Sequence, residues 1–93
     1  MKKLVEVYQN SISKKKYSLR EVFVNPDYIV SLVPDDFTMK LLREGAMPDS
    51  LDTRQQFTRI TIHKGTSGQE MIVVGDVESV RTKLYARAAI LKG

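Results

Sequence analysis

Apolar and polar residues alternate with a period of two along much of this chain, the signature of strands with one face in a core and the other turned outward. Leu4 to Gln9 alternates and is rich in β-branched and aromatic residues, so it reads as a first strand with Val5 and Val7 facing inward. Asn10 to Lys16 is polar and ends in three lysines, which predicts a hairpin tip. Tyr17 to Val24 reads as the second strand, with Leu19 and Phe23 on one face and Val22 and Val24 on the other. Asn25-Pro26-Asp27 interrupts it, because proline lacks an amide donor and Asn and Asp favour turns. Tyr28 to Val33 is the third strand, stopped by Pro34.

The stretch from 35 to 55 allows two readings. Asp36 can cap a two-turn helix, Phe37 to Glu44, closed by Gly45; alternatively Phe37 to Leu42 prolongs the third strand beyond a kink at Pro34. The helix is the preferred expectation, with the rest of the stretch as loop. Phe57 to His63 alternates again and places Thr58, Ile60 and Ile62 on one face. Lys64 to Gln69 is expected to be a loop, and Gly65 and Gly68 permit a tight reversal there. Met71-Ile72-Val73-Val74 is apolar on both faces, as a central or interface strand should be. After Gly75, Asp76 caps a helix predicted from Val77 to about Leu91, with Val77, Val80, Leu84, Ala88 and Leu91 as its apolar stripe.

The pattern describes a mainly β chain of 93 residues forming one domain. The expected architecture is a small, partly open five-stranded barrel with strands over about 3–75, a long connection at 35–55 and a C-terminal helix; an open two-layer sheet-and-helix domain is the rival. Hydrophobic residues make up 42%, enough for one modest core. The chain has no cysteine, which excludes disulfides and thiolate metal sites and fits a reducing compartment. No apolar run approaches a membrane span, and Met1-Lys2-Lys3 leads straight into a strand pattern and not into a signal peptide, so a cytoplasmic address is expected.

Fifteen basic residues against eleven acidic ones leave a formal charge of +4, which attracts polyanions without selecting one. Catalysis needs a constellation of groups, and little is on offer. His63 is the single histidine, at a strand end, so no enzyme activity, metal or cofactor is expected. Lys64-Gly65-Thr66-Ser67-Gly68 has glycines and a hydroxyl but lacks phosphate-loop spacing and leads into a strand, so it reads as a turn. Basic residues gather in three places: Lys14, Lys15 and Lys16 at one turn; Arg59, His63 and Lys64 along and beyond one strand; Arg81, Lys83 and Arg87 on the helix. Each is either a solvated surface or a phosphate-binding patch.

Five short strands with a long connection leading into the fourth resemble the Sm/LSm domain, specifically its divergent cyanophage type. Two local patterns carry the resemblance. Glu21-Val22-Phe23-Val24-Asn25 has the spacing of the end of the first Sm signature, and Lys64-Gly65 stands where the second has Arg-Gly. The resemblance implies a non-catalytic nucleic-acid-binding protein, RNA in preference to DNA, acting as a homo-oligomeric ring in RNA or DNA processing. For a phage protein that would be in the host cytoplasm. It implies Asn25, Lys64 and Gly65 as base-holding pore-loop residues, with His63 beside them and Lys14, Lys15, Lys16 and Arg59 as further nucleic-acid contacts. It also implies that the fourth and fifth strands of neighbouring subunits pair. The chain departs from the family in having Glu for Asp and Lys for Arg, and in lacking the second-strand glycines and the N-terminal helix. A Lys cannot reproduce the planar, forked recognition of an Arg. Phe23 to Ile29, with the later Ile72-Val73-Val74 and capped helix, also resembles small flagellar and swarming-motility proteins, which implies a protein-interaction adaptor instead.

Overall fold

The computed structural model describes residues 1–9, 16–47 and 51–86. Five strands, β1 (Lys2–Gln9), β2 (Tyr17–Val24), β3 (Ile29–Pro34), β4 (Phe57–Lys64) and β5 (Ser67–Val74), form one antiparallel sheet in the order β2-β1-β5-β4-β3. Two helices complete it, α1 (Asp36–Arg43) and α2 (Val77–Tyr85). The expectation of a mainly β chain with five strands and a C-terminal helix holds at that level. The sheet is not closed into a barrel: β2 and β3 are its two edges, with no register between them.

Both faces of the sheet are covered, and this explains its alternation. On one face Leu4, Val24, Ile60 and Val73 pack with Val80 and Leu84 of α2. On the other, Val7 and Phe57 pack with Leu42 of α1 and with Met47. The prediction that Val5 and Val7 share the buried side of β1 is therefore corrected. Leu4 and Val7, on opposite faces, are the buried pair, and Val5 is only half-buried. β5 is the central strand, as its run of four apolar residues requires, and Val73 and Ile72 serve the two cores separately.

The helices begin where their caps dictate. The α1 cap is Asp35, not Asp36: its carboxylate accepts from the Thr38 amide at 3.2 Å and from the Thr38 hydroxyl. Asp35 is fixed there because its own amide donates to the Phe57 carbonyl at 2.9 Å, while Asp36 stays exposed in the first turn. The strand alternative for 37–42 is thereby excluded, and Gly45 follows the helix at a φ of 83°. Asp76 caps α2 as expected, accepting from the Ser79 amide at 3.4 Å and from its hydroxyl.

The predicted extent of α2 to about Leu91 is corrected. The helix stops at Tyr85, and Ala86 is extended (φ −62°, ψ 136°). Ala88 and Leu91 lie outside the described residues. The last turn is tied down from two sides, by Lys2 Nζ donating to the Ala86 carbonyl and by the Tyr85 hydroxyl donating to that of Pro26, each at 3.4 Å.

The reversal between β4 and β5 is also shorter than predicted. Lys64 pairs with Ser67, leaving only Gly65 and Thr66 as the turn. Gly65 has a φ of 64° and Thr66 does not have a positive φ, so a glycine is needed at the first central position alone, as in a type II′ hairpin. Gly68 lies within β5 and serves another purpose: a Cβ there would come within 2.8 Å of the His63 ring opposite it.

Candidate functional site

The resemblance drawn from the sequence joins the Asn25 turn to the β4–β5 turn, and the backbone brings these two segments together. Asn25 caps a 3-10 turn, Pro26–Tyr28, its side-chain oxygen accepting from the Asp27 amide at 3.0 Å. Pro26 fits the first position, where no amide donor is needed. β3 then begins at Ile29, which pairs with Ile62 two residues before the end of β4. The outcome is a rim where Lys64 Nζ stands 5.5 Å from the centre of the Tyr28 ring, within cation–π range. Tyr28 is 38% exposed. A cleft of about 240 Å3 lies alongside, lined by Ile62, Lys64, Ser67, Gly68 and Gln69.

Tyr28 was not singled out from the sequence. Its position three residues after Asn25, in a turn that proline and aspartate force to the surface, was the available signal. Asn25 is half-buried, and with its oxygen committed to the turn its amide hydrogens are the groups it can offer a ligand. Asp27, exposed in the same turn, places one negative charge at this rim.

The other candidates do not converge there. His63 and Lys64 are adjacent in sequence, but strand alternation puts them on opposite faces of the β4–β5 hairpin. His63 lies over Gly68, while Lys64 shares its face with Ile62. Arg59 is on the His63 face, two same-face positions earlier in β4, and its terminal nitrogen pairs with Asp35 at 3.3 Å. It belongs to the network that seats α1 on the sheet. Lys16 is exposed at the start of β2, whereas Lys14 and Lys15 lie outside the described residues. On α2, Arg81 pairs with Glu78 at 2.8 Å, so that helix face is partly self-neutralised.

Charged pairs elsewhere are of the surface kind. Arg20 holds Glu6 at 2.9 Å across the β1–β2 pair and stacks over the Tyr8 ring at 4.5 Å. The Arg54 guanidinium beside Asp52 lowers the Asp52 carboxyl below its usual range. Among the described residues, no group of three or more His, Asp or Glu side chains could hold a metal, and no helix is long and apolar enough to cross a membrane. No family model, curated protein or solved structure matches the chain.

Proposed function

We propose that the chain is a non-catalytic protein that binds single-stranded nucleic acid, RNA in preference to DNA, and that it works as a homo-oligomer of Sm-like small-barrel type. The observation that carries this reading is the rim itself: a lysine ammonium 5.5 Å from a surface tyrosine, beside the Asn25 turn. Single strands are held by cations that meet phosphates and by aromatic rings on which bases stack. Lys64 and Tyr28 supply one of each, and the Asn25 amide can donate to a base edge. The net charge of +4 favours the approach of such a ligand.

Assembly in this reading uses the sheet edges. β4 and β5 pair with each other over eight positions, and β2 and β3, the terminal strands of the sheet, each have one whole side to offer a second subunit. β3 carries a register shift between Ile29 and Ser31 and ends in Pro34, devices that discourage edge pairing. β2 is regular along all eight residues, which makes it the better edge for a second copy.

Titration of a fluorescent single-stranded RNA at two salt concentrations tests the rim. Lys64→Ala should weaken binding and reduce the slope of log K against log salt by about 0.7, the loss of one phosphate contact. Asn25→Ala should change base preference and leave that slope intact. If both variants bind like the parent, the rim is not the site. A monomeric mass by light scattering at micromolar concentration would remove the oligomer from the reading. The rival reading, a protein-binding adaptor, draws on the exposed apolar side chains of Phe23, Val30 and Phe37, and a partner retained after nuclease treatment would favour it.

A further inference from the structure

The face of the β4–β5 hairpin opposite Lys64 carries polar groups that the rim does not use. The pairs Arg59↔Ile72, Thr61↔Glu70 and His63↔Gly68 set Glu70 diagonal to Arg59 on a common face, within reach of one small ligand. A groove of about 400 Å3 lies between this face and α1, lined by Val7, Tyr17, Phe37 and Ile72 together with Arg59 and Glu70. Its apolar floor is continuous with the core that seats α1, since Val7 is buried there and Tyr17 and Ile72 pack against it.

Two hydrogen-bonding groups at this groove are unspent. Arg59 gives a terminal nitrogen to Asp35, but its Nε–H is buried and has no acceptor. The Arg59 side chain as a whole is 41% exposed and lines the groove, so part of its guanidinium is open to a ligand. Glu70 is exposed and takes part in no ion pair among the described residues. The charges at the groove are one positive, Arg59, against two negative, Asp35 and Glu70. With Arg59 paired to Asp35 and Glu70 unpaired, a neutral group that accepts from Arg59 while donating to Glu70 is favoured over an anion. Flat apolar and aromatic walls suit a flat ring.

Guanine meets all these demands at once. Its ring carbonyl accepts a hydrogen bond, and the adjacent N1–H and exocyclic amine donate side by side to the two oxygens of a carboxylate. Uracil has a single N–H beside its carbonyls, and adenine and cytosine do not set two adjacent donors next to a carbonyl. We propose that the groove between α1 and the β4–β5 hairpin is a guanine-base pocket, with Glu70 accepting from the base edge, the exposed part of the Arg59 guanidinium donating to the carbonyl, and Tyr17 and Phe37 contacting the ring. The pocket rests on the nucleic-acid reading above and gives it a base preference. Lys64 is five residues along β4 from Arg59, about 17 Å, a span that a few nucleotides of one strand can cover around the hairpin edge.

The test uses the full chain and the four nucleosides, which lack phosphate and so do not report on Lys64. In heteronuclear NMR titrations, guanosine should shift the Arg59 side-chain N–H resonances and the amides of Glu70 and Ile72, and should bind at least ten-fold tighter than adenosine, cytidine or uridine. Glu70→Gln, at an exposed strand position, should abolish that preference without altering the rest of the spectrum. Phe37→Ala, also at an exposed position, should weaken guanosine several-fold. Single-stranded RNA that binds through Lys64, with no nucleoside moving the groove resonances, overturns the pocket and leaves the nucleic-acid reading standing. Guanosine binding without any RNA binding upholds the pocket and refutes the reading of the rim. Equal shifts from all four nucleosides, or shifts from an apolar peptide alone, also overturn it.

Discussion

Leu84→Ala tests whether α2 is a layer of the fold. Leu84 is 1% exposed and lies in one cluster with Val80 of its own helix and with Leu4, Val24, Ile60 and Val73 of the sheet. Truncation removes three carbons, and at about 0.8 kcal/mol per buried methylene the lost transfer energy is roughly 2.4 kcal/mol. The space left behind adds roughly 1–2 kcal/mol at about 24 cal/mol per Å3 of residual cavity, for a total of about 3–4 kcal/mol. A domain of 93 residues has only about 5–14 kcal/mol of stability in all. The melting temperature of such a domain moves by about 4–8 °C per kcal/mol, so a fall of roughly 12–30 °C is expected. Thermal and urea unfolding followed by circular dichroism measure it, with an unchanged urea m-value showing that the same surface is exposed on unfolding. A fall of less than about 4 °C would mean that α2 does not pack on the sheet, and the two-core account of the fold would fail with it.

Asp35→Ala removes the α1 cap and leaves Arg59 without its counter-ion, so a loss of about 1–3 kcal/mol is expected in urea unfolding; an unchanged midpoint would show that the cap and pair contribute nothing. The N-terminus of α2 gives stability an acid limb. The Ser79 hydroxyl lowers the Asp76 carboxyl below its ordinary value, and Arg81 does the same for Glu78. Carboxylates held low in the folded state stabilise it fully above their unfolded values, and that contribution is lost as pH falls through the folded ones. Melting temperature should therefore decline below about pH 4, less steeply in Asp76→Asn, and parallel declines in parent and variant would refute the assignment.

The parts of the fold that were legible in the sequence are those set by local chemistry. The Asn25-Pro26-Asp27 turn, the Asp76 cap and the glycine after α1 each have a short-range physical cause, and each is found where it was read. The misreadings have long-range causes. Two adjacent aspartates precede α1, and the choice of Asp35 as cap depends on a hydrogen bond to Phe57, more than twenty residues away. Alternation with a single buried face puts Val5 in the core. α1 and α2 cover opposite faces, so burial on β1 passes from Leu4 to Val7. Gly68 was counted into the turn with Gly65, yet it is a strand residue kept small by the His63 ring.

The candidate site was legible as two segments but not as a set of side chains. Grouping Arg59, His63 and Lys64 by closeness in sequence ignores that neighbouring strand residues point to opposite faces. Once β4 is placed by its pairs, Lys64 goes with Tyr28, and Arg59 goes with Asp35 and Glu70. Tyr28 and Glu70 were missed because neither is unusual locally. Each gains meaning only from a register, Ile29 on Ile62 for the first and Glu70 on Thr61 for the second.

The pairing of the fourth and fifth strands, expected between neighbouring subunits, occurs within the chain, and the reason lies in the turn after Lys64. A two-residue turn with glycine at its first position returns the chain directly beside the strand it has just left, so β4 and β5 must hydrogen-bond to each other. They do so from Phe57↔Val74 to Lys64↔Ser67. β5 also pairs with β1 through Val7↔Ile72 and Glu6↔Val73, which makes it interior over that part of its length. The break in the sheet therefore falls between β2 and β3, where the 3-10 turn carries the chain from one edge to the other. That turn holds Asn25 and Tyr28, so the opening of the sheet and the proposed ligand rim are set by the same three residues of chain, Pro26–Tyr28, and by the cap that precedes them.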